Sequence, residues 1–182
     1  MSLAHSSTRV RGQDGAVLEL AATSPPQSAA YDIVLLVHIL VAIGAVVTLV
    51  SSYVAAAAIG KVAPGSPWPS SAVRYFRPGP DVVGRVIYLI PITGFALLGL
   101  SQHAYSLATS FVGIGLVLWV VAAVVAEAFV FRPAGRVAKV VASSATAPND
   151  EQWRRQLPVM RWSIDVVLLL VVAGAVVMLV QP

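Results

Sequence analysis

Four stretches of this chain, about 33–58, 86–104, 110–131 and 163–180, are apolar and contain no lysine or arginine. Each admits one His, Asp or Glu: His38, His103, Glu127 and Asp165 respectively. Apolar runs of about 18 or more residues read as membrane-spanning helices. Inside a bilayer each backbone N–H and C=O must find a partner within the protein, which leaves helices and closed barrels as the spanning structures. Strand-like alternation is absent, which argues against a barrel. The expected fold is therefore all-α, a polytopic membrane four-helix bundle over 31–182. Composition agrees, with 58% hydrophobic and 11% charged residues against about 25% charged in soluble domains, and a mean hydropathy of +0.83.

Residues 1–30 are polar, small and proline-bearing, and are expected to form a mobile tail. They contain no apolar core of the length a signal peptide needs, so no cleavage is expected. There is no cysteine, which excludes disulfides, Cys-ligated zinc and iron–sulfur clusters. Ten of the twelve basic residues are arginine, and Ala, Val, Gly and Pro abound, a bias that suits a GC-rich bacterial genome.

Orientation follows from the connections. Lys61, Arg74, Arg77 and Arg85 lie in the first loop, and Arg132, Arg136, Lys139, Arg154, Arg155 and Arg161 in the third. The second loop and the C-terminus hold none, and the tail only Arg9 and Arg11. The rule that cytoplasmic loops carry the positive charge places both termini outside, in a bacterial cytoplasmic (inner) membrane. The net charge of +4 thus flanks the bilayer, where it attracts anionic lipid headgroups. No basic, aromatic-interleaved fold accompanies it, so nucleic acid is not an expected partner.

His38 enters about 10 Å below the outer surface, seven residues into its helix. Its face carries Ala42, Ala45, Ser52 and Ala56, with Thr48 at the edge. Small and hydroxyl residues let membrane helices approach closely, so the ring should face the bundle. His103 ends the second helix at the same outer side, above Gly99 and Ala96, with Tyr31, Asp32 and Tyr105 nearby. Three readings stand side by side. The histidines pack and hydrogen-bond, or they ligate haem iron or copper through neutral imidazole, or His38 exchanges protons or partners a quinone.

Glu127 lies about a turn and a half from the inner end, on a face with Ala123, Val120, Leu116, Gly113 and Thr109. At α-helical spacing Arg132 is off that face, while Arg85 and Arg161 enter at the same depth from other helices. A structural ion pair and a proton relay are the two readings. Asp165, with Ser163 as cap, fits the first turn of the fourth helix. Pro91 and Gly94 suggest a kink in the second. Trp68, Trp153 and Trp162 should sit at the headgroups and Trp119 should pack. No Walker loop, dinucleotide fingerprint, HExxH or serine-nucleophile motif occurs.

A histidine early in the first helix, "RYFRPGPDVVGRVIYLIPITGFALLGL" leading into the second, and a closing "VVMLVQP" resemble a bacterial, actinobacterial-looking family of predicted integral membrane proteins of unknown function. The histidine-bearing first helix is also similar to the four-helix families of copper resistance and protoporphyrinogen oxidation (the CopD and HemJ types). That similarity implies copper or haem at His38. After His38 the chain reads "ILVAIGAVV", without the Trp-Gly-Gly-type sequence of those families, and no catalytic residue is carried over. The expected function is a non-enzymatic membrane protein, an accessory or structural subunit working with a membrane-protein partner or further copies of itself. The alternative is a redox protein handling haem, copper or a quinone through His38 and His103.

Overall fold

The structure, a computed structural model, describes residues 28–76, 84–102, 104–149 and 151–180. The expected tail falls almost wholly outside them, as do His103 and Arg77. Helix α1 is Ala29–Gly60, α2 Ser70–Tyr75, α3 Leu89–Leu100, α4 Ser110–Ala126, α5 Arg132–Ser143 and α6 Gln156–Val180. A 3₁₀ turn, Gly84–Tyr88, leads into α3, and a π turn, Glu127–Phe131, joins α4 to α5 without a break. Among the described residues there is no strand, only an isolated bridge between Pro67 and Thr146.

Three helical segments are long and apolar enough to cross a membrane: Ala29–Gly60, Ser110–Ser143 and Gln156–Val180. Arg85–Leu100 is a shorter apolar helix. Only 11%, 28% and 17% of the three long apolar windows is buried within the chain. Most of their surface therefore faces outward, as it must where lipid is the solvent. The outward side of α1 is large and aliphatic (Ile33, Leu36, Leu40, Ile43, Val47), whereas its inward side is Ala45, Leu49, Ser52, Ala55, Ala56 and Ile59. Small inward residues let the backbones close up, and dispersion across that seam replaces the hydrophobic drive that lipid cannot supply.

The helices extend beyond their apolar stretches. At 1.5 Å per residue, α1 is about 48 Å long and the continuous segment 110–143 about 51 Å, against a hydrocarbon thickness of about 30 Å. The overhang gathers at one end, where it builds a compact cap. Gly65 N–H donates to Ala147 O (2.8 Å) and Ala147 N–H to Ser66 O (2.9 Å), tying the two basic loops together. Trp68 and Trp153 meet edge to face at 5.4 Å between ring centres. Trp68 Nε1 donates to Ser144 O at 2.8 Å. Helix α5 turns Val137, Ala138 and Val141 into this cap and leaves Arg132, Arg136 and Lys139 outside. It is an amphipathic helix of the kind found on soluble proteins.

Several expectations change accordingly. Trp68 and Trp153 are 8% and 3% exposed, buried in the cap rather than anchored at headgroups, while Trp162, 70% exposed, faces outward. Helix α6 starts at Gln156, so Ser163 is two turns inside it and caps nothing, and the first-turn account of Asp165 falls with it. Hydropathy marks where a helix leaves the apolar phase, not where its hydrogen bonds end. Pro91 lies in the first turn of α3, just past the 3₁₀ turn and within the apolar helix Arg85–Leu100, so the helix changes type immediately before it.

Candidate functional site

Two polar constellations interrupt the apolar helices, one near each end. At the capped end the site grows from two backbone irregularities that meet. The 3₁₀ turn brings Arg85 and Tyr88 to the entrance of α3, and the π turn begins at Glu127. Pro91 has no N–H for the carbonyl four residues back, that of Ile87. Trp119 of α4 supplies the donor instead, Nε1 to Ile87 O at 2.9 Å. Neighbouring helices commonly satisfy backbone groups freed by proline in this way. The Tyr88 ring then packs against Trp119 and Phe131, with ring centres 6.4 and 6.3 Å away.

That packing aims the Tyr88 hydroxyl at Glu127, to whose Oε2 it donates at 3.0 Å. Oε1 faces Arg85 Nη2 at 3.7 Å and Arg132 Nε at 3.9 Å. Arg132 is five residues from Glu127, about 140° around an α-helix and out of reach. The π turn closes that gap, because Arg132 N–H bonds to Glu127 O in the i→i+5 pattern. The two side chains thus share a face that α-helical counting denies them. Arg161, the other cation expected at this depth, goes elsewhere. Its Nη2 donates to Tyr53 Oη at 2.8 Å, and its guanidinium lies 4.8 Å over that ring.

Toward the other end, His38 does turn into the helix packing. Its Nδ1 lies 2.7 Å from Thr93 Oγ1 on α3, and its Cε1 rests beside Gly94, where an added Cβ would sit 3.6 Å away. The Thr93 hydroxyl is also 2.9 Å from Leu89 O and 3.0 Å from Ile90 O. With its proton on either carbonyl, Thr93 accepts from His38 Nδ1–H and leaves the lone pair on Nε2; with that proton on Nδ1, the roles reverse. Among the described residues no group of three or more His, Asp or Glu could hold a metal.

Thr48 and Ser52, expected on the His38 face, do not join it. Thr48 Oγ1 donates to Ala45 O at 2.8 Å. Ser52 donates to Thr48 O at 2.8 Å and bonds the Tyr75 hydroxyl of α2. Sequence reasoning missed Tyr88, Thr93 and Tyr75 as partners. A usable signal existed for two of them, since Tyr88 and Thr93 are the only hydroxyls between 86 and 100.

Compared with family models, curated proteins and solved structures, the chain matches none.

Proposed function

We propose that this chain is a four-helix integral protein of a bacterial cytoplasmic membrane, serving as a non-catalytic accessory subunit of a larger membrane complex. The observation that supports this is how its polar side chains are spent. Glu127 is engaged by Tyr88, Arg85 and Arg132, His38 by Thr93, Ser52 by Tyr75, and Trp119 by a freed carbonyl. Each is a latch between segments, which is what a scaffold needs. In native membranes solubilised gently, the protein should migrate in an assembly well above its own 19.0 kDa. A lone monomer carrying a stoichiometric cofactor would overturn the reading.

The fourth crossing is Arg85–Leu100. Its 3₁₀ turn and α-helix together reach about 28 Å, close to the hydrocarbon thickness. Directions support it, since α1 and α4 both point their C-terminal ends at the cap and the chain returns between them. With the basic loops cytoplasmic, both termini lie outside. The chain has no native cysteine, so single cysteines at the exposed Ser106 and Ser143 report directly. Ser106→Cys should label from outside intact cells and Ser143→Cys only after permeabilisation; the reverse pattern would invert the topology.

A second reading rests on the Nδ1–H form of His38, which leaves the Nε2 lone pair for a ligand. A ring held at Nδ1 with Nε2 bare is the usual posture of a metal-ligating imidazole, suited to haem, copper or a quinone with His103 as the other group. Detergent-purified protein is expected to show no Soret band and no stoichiometric copper. A band that disappears in His38→Ala would replace the accessory reading with the redox one.

A further inference from the structure

Between the last turn of α1 and the first turns of α6 lies a cleft of about 230 Å³, lined by Ala56, Gly60, Lys61, Arg154, Leu157 and Arg161 among others. Its floor is small and apolar, its rim carries three cations, and among the described residues no carboxylate lines it. Of the nearest described acids, Glu151 pairs with Arg155 at 3.7 Å, and Asp165 forms no ion pair among the described residues. The two arginines are held in place. Arg154 donates to Val62 O, just beyond the end of α1, and stacks over Trp153 at 4.8 Å. Arg161 is held by the hydroxyl and ring face of Tyr53. Each guanidinium has five N–H donors in a planar fork suited to phosphate oxygens, and these contacts occupy one.

We propose that this cleft is a phosphate-binding site formed by Lys61, Arg154 and Arg161, and that the phosphate it takes is the headgroup of an anionic phospholipid. Its position argues for the lipid source. The cleft opens where the apolar surface of α1 gives way to the cap, beside the outward-facing Trp162, so a bound phosphate would have acyl chains running down the helices. Basic pockets between membrane helices on the cytoplasmic side recognise such headgroups. The leaflet assignment rests on the orientation proposed above, whereas the site itself does not.

Native mass spectrometry of the full chain in detergent tests the site, with phosphatidylglycerol, phosphatidylcholine or inorganic phosphate added. Phosphatidylglycerol should persist on the protein at energies that strip phosphatidylcholine. Lys61→Gln with Arg161→Gln should weaken its binding roughly thirtyfold, the effect of removing two cations from an anionic headgroup. Arg155→Gln, in the same loop but outside the cleft, should change nothing. Arg154 is left intact because it also supports Val62 O. Phosphate binding with no preference for lipid, lost in the double variant, would assign the same site to a soluble phosphate. Equal lipid retention in all three proteins would overturn the proposal, and so would a double variant that keeps the wild-type melting temperature and its phosphatidylglycerol. Inverted cysteine labelling with lipid retention intact would move the site to the other leaflet and leave it standing.

Discussion

Trp153→Ala is expected to cost about 3–5 kcal/mol, the range for truncating a large buried aromatic. Trp153 is 3% exposed, packs edge to face on Trp68, and supports the Arg154 guanidinium. It joins the loop after α5 to the loop after α1, so its loss should open the cap without dissolving the apolar helices. Titration with a denaturing detergent reads the energy. Limited proteolysis reads the place, and cleavage should appear within 61–76 and 144–155. Wild-type protein already cut in both loops would contradict a folded cap. Phenylalanine separates packing from hydrogen bonding. Trp153 Nε1 is buried with no acceptor, so Trp153→Phe discards a donor that earns nothing and should be mild. Trp68→Phe loses the bond to Ser144 O and should cost about 1 kcal/mol more, the usual net value of such a bond.

At the π turn the largest single contribution should come from a neutral residue. Tyr88→Phe is expected to cost about 1.5–3 kcal/mol, because its hydroxyl meets a charged acceptor at 3.0 Å. Arg132→Gln should cost under about 1 kcal/mol. That pair is 3.9 Å apart, and the arginine is 69% exposed, so solvent screens most of the attraction. Glu127→Gln should insert normally and retain about the size and part of the bonding of the original. The same titration ranks all three. An Arg132 variant less stable than the Tyr88 variant would mean that the charge pair within the 110–143 rod outweighs the hydroxyl that ties α3 to α4.

Much of the architecture is legible in the residues. Long runs without lysine or arginine announce the apolar helices, and the small-residue face of α1 correctly turns His38 inward. Sequence depth offers Glu127 both Arg85 and Arg161; the structure sets Arg85 at 3.7 Å and sends Arg161 to Tyr53. What escapes is whatever depends on a departure from 3.6 residues per turn. The pairing of Glu127 with Arg132 exists only because the chain adopts i→i+5 bonding there, which no α-helical wheel contains. The cap escapes for another reason. Trp68 and Trp153 are 85 positions apart, and aromatic residues near a membrane boundary have headgroups as their default environment. Only the docking of two loops, a long-range event, moves them inside.

From Ser110 to Ser143 the chain is one uninterrupted rod of 34 residues, apolar in its first half and amphipathic in its second. Its two halves answer to different solvents, yet they share one rotation about one axis. Removing a single residue from the π turn would bring Glu127 and Arg132 to ordinary i→i+4 spacing and leave the face of everything after it nearly unchanged, whereas adding one would swing it by about 100°. On such an addition Val141 would leave the cap, and Arg136 would be driven toward it. Between Glu127 and Phe131 the chain already carries its one spare letter: dropping it keeps the frame, and a second one loses it.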